Sequence, residues 1–270
     1  MKWDYEFDVV VIGSGNGALT SALCSHDGGA KTLVIEKSTQ FGGTSATSGG
    51  GVWIPNNRYA KAENVDDSDQ DARDYINSVS PEGKIKDELV ETYLSEGPKM
   101  IDYLHENSQV KYRNLAHYPD YFPDNPGGKA GNRSMEPEPI KGTELGDDLA
   151  KLREQHPQTA FTMGPINMNF TQVEGQLLLG ALPGWKSLFA KLFTKYILDL
   201  PMRLKWGWKD RRLTMGNAGV ARLILSLGMS EISSARSVAS SLSKIFFAVI
   251  PLSNSTFPNA VTRNNDFSGM

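Results

Sequence analysis

The stretch Val9-Val-Val-Ile-Gly-Ser-Gly-Asn-Gly-Ala18 sets a run of aliphatic, mostly β-branched residues directly against three glycines in five positions. Residues 8–12 read as a short strand able to be buried on both faces, as the central parallel strand of an α/β sheet is. Ala18, Leu19, Ala22 and Leu23 then repeat at helical spacing up to a stop at Gly28 and Gly29. Residues 32–36 supply a second strand, so residues 7–36 form one β-α-β unit, the size of a single nucleotide-binding module. The turn inside it, Gly13, Ser14, Gly15, Asn16, Gly17 and Ala18, fits G-x-G-x-x-G/A. Gly13 makes the tight turn out of the strand, Gly15 lets a pyrophosphate approach the backbone, and Ala18 keeps the helix close to the sheet. The phosphates of a dinucleotide would meet the free N–H groups and dipole of the helix N-terminus. Glu36, closing the second strand, is placed to take ribose hydroxyls and to repel a 2′-phosphate. Each feature has a plainer account: the glycines can be only a turn, and Glu36 beside Lys37 can be a solvated strand end. Their combination favours the dinucleotide reading.

Composition narrows the field around that unit. With 270 residues, 39% hydrophobic and 22% charged, the chain is ordinary globular material with room for one large domain or two modest ones. A net charge of -3 supplies no global basic field, so nucleic acid is not an expected partner. Cys24, the single cysteine, rules out an intramolecular disulfide; it sits in a helical pattern and reads as a small buried apolar residue. His26, His105, His117 and His156 lack the spacing of metal ligands, and no metal is expected. Residues 1–8 lack the apolar core of a signal peptide, and no apolar run reaches the ~18 residues of a membrane span. A soluble, cytoplasmic protein is the expectation.

Past Glu36, residues 41–51 are too rich in Gly, Ser and Thr to hold regular structure unaided. A nicotinamide enzyme normally goes from the acidic strand end into another helix, whereas a long polar loop here can wrap an extended cofactor. Ser68 with Asp71 reads as a capping box, followed by Ala72, Tyr75, Ile76 and Val79 at helical spacing. A second helix is predicted from Ile85 to about His105, with Pro98 kinking or breaking it. Residues 117–142, rich in proline and glycine, read as an ordered loop packed by its own side chains. Leu188, Phe189, Leu192, Phe193, Tyr196, Ile197 and Leu200 form an apolar helical stripe with Lys186, Lys191 and Lys195 off it. The basic and aromatic segment 185–212 fits a peripheral membrane contact; a solvated face with snorkelling lysines explains it equally simply and is preferred. A further helix is expected from Asn217 to Leu227. Beyond Leu227 only Glu231 and Asp266 are acidic, strand and helix patterns no longer alternate, and residues 264–270 read as unstructured.

The segment Gly42-Gly-Thr-Ser-Ala-Thr-Ser-Gly-Gly-Gly-Val-Trp-Ile-Pro55 resembles the flavin-contacting loop of the 3-ketosteroid dehydrogenases, within the wider fumarate reductase and succinate dehydrogenase flavoprotein group. Tyr118-Pro-Asp-Tyr121-Phe-Pro, Pro126-Gly-Gly, Gly131-Asn-Arg-Ser-Met-Glu-Pro137 and Arg211-Arg-Leu-Thr-Met-Gly-Asn-Ala218 are similar to further segments of that family. The resemblance covers about residues 5–227. It implies an α/β, Rossmann-like FAD-binding fold of the glutathione-reductase type, with a helical and proline-rich insertion over about residues 66–215 and the flavin loop at 41–55. It implies FAD as cofactor, held by Gly13, Ser14, Gly15, Gly17, Ala18, Glu36 and Lys37 and by Gly42, Gly43, Thr44, Ser45, Ser48, Gly49, Gly50 and Gly51. The implied reaction is desaturation of the A-ring of a 3-oxosteroid, by tyrosine-assisted proton loss with hydride transfer to flavin N5, electrons passing on to an acceptor. Tyr121 matches the family's first active-site tyrosine. A phenol suits that role, since it can hydrogen-bond to and tune a neighbouring phenolate base. Tyr118 is close enough to be confused with it, and either ring can equally be an amphipathic side chain packed in its loop.

Family members are about twice as long, and residues 228–270 resemble no part of them. The resemblance therefore implies a truncated or frame-shifted reading, lacking the family's remaining catalytic residues. Two rivals stand beside it: a fumarate-reductase-like flavoprotein, disfavoured by the aromatic, apolar bias, and an inactive remnant that only binds the nucleotide or does not fold stably.

Overall fold

The computed structural model describes residues 5–163, 166–206 and 210–228, and the backbone of short strands at 233–234, 245–249 and 260–262. Two compact units share the chain: Met1–Ser48, Ile140–His156 and Asp210–Met270 form the first, Gly49–Pro139 and Pro157–Lys209 the second. The first opens with β1 (Tyr5–Phe7), β2 (Val9–Ile12), α1 (Asn16–Asp27), β3 (Thr32–Glu36) and α2 (Gly43–Thr47). The second then contributes β4 (Val52–Trp53), α3 (Arg58–Ala62), α4 (Asp69–Val79), α5 (Asp87–Asn107), β5 (Tyr112–Asn114) and β6 (Ser134–Pro137). The chain returns to the first unit for β7 (Ile140–Lys141) and a 3-10 segment, Gly142–Lys151. The second is completed by β8 (Ala160–Met163), β9 (Ile166–Asn169), α6 (Gln172–Leu179), α7 (Trp185–Leu198) and α8 (Leu200–Trp206). The first ends with β10 (Arg212–Leu213), α9 (Met215–Ser226), β11 (Ser233–Ser234), β12 (Ile245–Val249) and β13 (Ala260–Thr262).

In the first unit the expected β-α-β arrangement forms, with β2 and β3 parallel from Val9 opposite Thr32 to Ile12 opposite Ile35. The sheet order is β11-β12-β3-β2, so β3 is an inner strand and β2, which leads into the glycine turn, is an edge. This corrects the reading of residues 8–12 as a central strand buried on both faces. A partner lies on one side of β2 only among the described residues, and Ile12 is 84% exposed. The tail is corrected at one place too: Ile245–Val249 pairs in parallel with β3 along its whole length. Its run Ile-Phe-Phe-Ala-Val has strong strand propensity, which the serine-rich surroundings obscure. Residues 264–270 lie outside the described residues.

Helix α1 buries Leu19, Ala22 and Leu23 as their spacing predicts, and Gly28 closes it by donating its N–H to the Cys24 carbonyl. Cys24 itself is exposed rather than buried, because one position past Leu23 is a turn of about 100° away from the buried face. The second unit holds an antiparallel β4-β6-β5 sheet. On α4 the Ser68 hydroxyl accepts from the Asp71 amide as expected. The reciprocal half of the box is supplied by Asp67, which takes the Ser68 amide at 3.0 Å. Ala72 packs with Val90 and Leu94 of α5, with Ile76 alongside. Helix α5 runs on through Pro98, so of the expected kink or break the break does not occur; buried Val90, Leu94, Ile101 and Leu104 anchor it on both sides, while Ile85 stays outside the helix. Residues 117–142 are not a self-packed loop throughout: they include β6 and β7, and the Lys129 ammonium bonds the Asp71 carboxylate of α4 at 2.9 Å. No helix among the described residues is long and apolar enough to cross a membrane.

Candidate functional site

The turn between β2 and α1 is bare and aimed. Gly13 has φ +100, where a side chain is rarely accommodated, and its N–H reaches the Ile35 carbonyl at 2.6 Å, tying the turn to the end of β3. Helix α1 starts at Gly15 with no side-chain cap and no acidic residue in its first turn. Beyond the Asn16 amide, which is taken by Ser45, its N-terminal amides and positive dipole end therefore remain available to an anion. The Ser14 side chain, 1% exposed, donates to the Glu36 carboxylate and accepts from the Gly42 amide at 2.9 Å. The other Glu36 oxygen accepts from the Ser38 amide at 3.0 Å. The Asn16 amide donates to Ser45 Oγ at 3.0 Å, and a Cβ at Gly15 would stand 3.1 Å from that same oxygen.

Gly13, Ser14, Gly15, Glu36, Gly42 and Ser45 are thus brought together. Gly17 faces open space at the first turn of α1, Ala18 is half-buried, and Lys37, Thr44 and Ser48 are exposed. Gly49, Gly50 and Gly51 fall in the second unit, where the Gln172 side-chain amide donates to the Gly49 carbonyl at 3.0 Å. Asn16 Oδ1 is buried without a hydrogen-bond partner, an acceptor left over beside the open helix end. An open helix N-terminus, a facing carboxylate and an orphaned acceptor fit the donor and acceptor set of a dinucleotide.

Residues 41–51 were expected to be irregular, and the helix α2 inside them is a correction. Gly42 starts α2 in the left-handed region, at φ 102. Asn217 of α9 then donates its side-chain amide to the carbonyls of Ala46, at 2.6 Å, and Arg153, at 3.0 Å. The Gly216 amide reaches the Ser48 carbonyl at 3.1 Å. Contacts from far along the sequence override weak local propensity. The structural roles of Asn217 and Gln172 are not predicted from sequence: a single amide side chain, beside Gly216 in one case and between Thr171 and Val173 in the other, has no pattern of its own.

The second unit holds a pocket of about 280 Å³ lined by Trp53, Ile76, Val79, Tyr118, Tyr121 and Ser134 among others. Tyr121 is 85% exposed and has no hydrogen-bond partner among the described residues; Tyr118 is half-buried. Asp120, between them, is buried and accepts from the Trp53 indole at 2.7 Å, the Lys129 amide at 3.0 Å and Arg133 at 2.9 Å. Arg133 is flanked by the rings of Trp53 and Tyr75, 5.7 and 5.8 Å from their centroids. Tyr93, 43% exposed, donates to the Trp53 carbonyl, and the partial burial of its phenol shifts it above the ordinary value. No cluster of metal-binding side chains occurs among the described residues.

Residues 8–241 match the FAD binding domain family, and the chain belongs to it; its cofactor is FAD. The 3-oxosteroid 1-dehydrogenase of Mycolicibacterium smegmatis is 37% identical over 168 residues, 62% of this chain and 29% of that protein. The enzyme of the same name from Comamonas testosteroni is 33% identical over 229 residues, 85% of this chain and 39% of that protein. The crystal structure of 3-ketosteroid delta1-dehydrogenase from Sterolibacterium denitrificans, in complex with 1,4-androstadiene-3,17-dione, matches with a TM-score of 0.78 and 36% identity, over 90% of this chain and 40% of that one. The fold is therefore the expected α/β, Rossmann-like FAD-binding fold, and the chain is homologous to the 3-oxosteroid 1-dehydrogenases. It spans well under half the length of these relatives. The family match runs to residue 241, further than the 227 at which the motifs end.

Proposed function

We propose that this chain is the flavin-binding part of an oxidoreductase that desaturates the ring of a 3-oxosteroid. The observation that carries the cofactor half is the placement of the Glu36 carboxylate against Ser14 in the glycine turn. In this reading the amides opening α1 receive the diphosphate, Glu36 receives the adenosine ribose, and Gly42, Gly43, Thr44, Ser45 and Ser48 follow the flavin. FAD, when bound, supplies the hydride acceptor. The chain's own contribution to chemistry is Tyr121, a phenol free to reach a neighbouring proton donor or acceptor at the edge of an aromatic pocket suited to a flat lipophilic ring. The electrons leave to an acceptor outside this chain.

The test of the cofactor half is direct. Purified from the cytoplasm, where this reading locates it, the 270-residue chain is expected to carry or take up flavin absorbance. A folded, colourless chain that does not bind added FAD refutes the assignment and favours an inactive remnant.

One observation favours a membrane contact through residues 185–212 more than the sequence did. On α7 and α8, Leu198 and Leu204 are 75% and 71% exposed, with Phe193, Ile197 and Met202 also exposed and Lys186, Lys191 and Lys195 beside them. Such a surface suits a peripheral contact through which a lipophilic substrate is collected. Cosedimentation with vesicles containing anionic lipid, lost when Leu198 and Leu204 are both changed to Ser, is the expected result.

A further inference from the structure

We infer that Ser14 is a positioning residue that couples the two ends of the dinucleotide, acting on the adenosine ribose through Glu36 and on the flavin loop through the Gly42 amide. The inference rests on the cofactor reading above. A serine hydroxyl has one proton to give and two lone pairs to receive. Ser14 gives its proton to Glu36 and receives the Gly42 N–H, and all three residues are buried. Glu36 in turn accepts one hydrogen bond at each oxygen, from Ser14 and from the Ser38 amide. A carboxylate has about four acceptor sites. One site per oxygen is left, matching the two hydroxyls of a ribose diol. The orientation of that carboxylate is set by donors that do not compete for the sites the sugar needs.

The same hydroxyl ties this carboxylate to the start of α2. Without it, the Gly42 N–H is a buried donor with no partner, and the left-handed turn at Gly42 loses its tie to the glycine turn. A second tie, Asn16 N–H to Ser45 Oγ, links the same two segments without involving Glu36. The two ties separate by mutation: one carries adenosine orientation and loop position, the other loop position alone.

The experiment titrates the 270-residue chain with FAD and, separately, with ADP. A hydrogen bond to a charged group corresponds to a loss of about 10- to 100-fold when removed. Ser14→Ala is expected to weaken ADP by about the lower end of that range and FAD by more, while Ser45→Ala weakens FAD and leaves ADP unchanged within about threefold. In a Glu36→Gln background, Ser14→Ala is expected to cost ADP affinity no more than about threefold further, because the carboxylate it positions is gone. Ser14→Thr keeps the hydroxyl and is expected to restore both affinities. Wild-type affinities in Ser14→Ala, an undiminished ADP loss in the Glu36→Gln background, or equal losses in the Ala and Thr variants each overturn the inference. A folded wild-type chain that binds neither ligand overturns the cofactor reading together with it.

Discussion

Arg133 and Asp120 form an ion pair at 2.9 Å with their side chains 1% and 3% exposed. Arg133 reaches Asp67 on its other side at 2.7 Å, so one guanidinium serves two carboxylates, and the planar fork is the geometry that allows it. Asp67 holds the entry to α4 through the Asn56 and Ser68 amides, and Asp120 holds the loop that carries Tyr118 and Tyr121. The exposed Tyr121 ring therefore projects from a loop whose neighbouring residue is fixed.

Arg133→Met removes the cation and leaves two buried carboxylates facing apolar rings. Breaking a buried pair from one side costs about 3–5 kcal/mol, chiefly because the remaining charge is uncompensated. Urea denaturation is expected to show that loss. Arg133→Lys is expected to fall between, since an ammonium cannot reproduce the fork. Wild-type stability in Arg133→Met would show that the N–H donors of Trp53, Lys129, Asn56 and Ser68 hold the two carboxylates without Arg133.

Gly216→Ala and Gly17→Ala should have opposite signs in the cofactor-free chain. A Cβ at Gly216 would lie 1.9 Å from the Ser45 carbonyl oxygen, a backbone atom that moves only if α2 moves from α9. Overpacking of this kind costs about 1–3 kcal/mol, occasionally more, and here it should also weaken FAD by displacing Ser45. Gly17 faces open space within α1, and alanine there should be neutral or stabilise by up to about 1 kcal/mol. Melting temperatures of the two variants decide it; equal losses would contradict the packing described between α2 and α9.

The contrast between Gly17 and Gly216 also marks where the sequence was legible. The β-α-β unit could be read because its signals are local: a β-branched run, three glycines, a helical repeat and Glu36. Leu19, Ala22 and Leu23 accordingly lie in the core. What could not be read depends on partners far along the chain. The edge position of β2 follows from which strands join the sheet, and α2 exists through Asn217, 171 positions from Ala46. In the same way Asp120 looked like part of a proline-rich loop until Arg133 and Trp53 closed on it. Tyr121 was reachable only by resemblance, since an exposed phenol has no pattern of its own.

Tyr121→Phe separates a chemical role from a structural one. The ring is exposed and its hydroxyl has no partner among the described residues, so stability and FAD affinity should stay within about 0.5 kcal/mol of wild type. If the phenol takes part in proton removal, turnover of a 3-oxosteroid with an artificial acceptor should fall by about 10²- to 10⁴-fold. Unchanged turnover, with a loss instead in Tyr118→Phe, would move the role to Tyr118.

Alkaline pH should destabilise the fold through Tyr112. Burial, with the neighbouring Tyr59 adding to it, pushes its phenol up to about 12 from an ordinary value of 10.0. The folded state thus keeps the proton where the unfolded chain has lost it. The stabilisation is complete below about pH 10 and drains away as the pH rises through about 12, a total on the order of 2–3 kcal/mol. Tyr112→Phe has nothing to ionise, so its stability should fall less over that interval than that of the wild type. Denaturation midpoints measured on both sides of pH 10, beside a spectrophotometric phenolate titration, provide the check. Parallel losses in the two proteins would mean that another group, not Tyr112, drives alkaline unfolding.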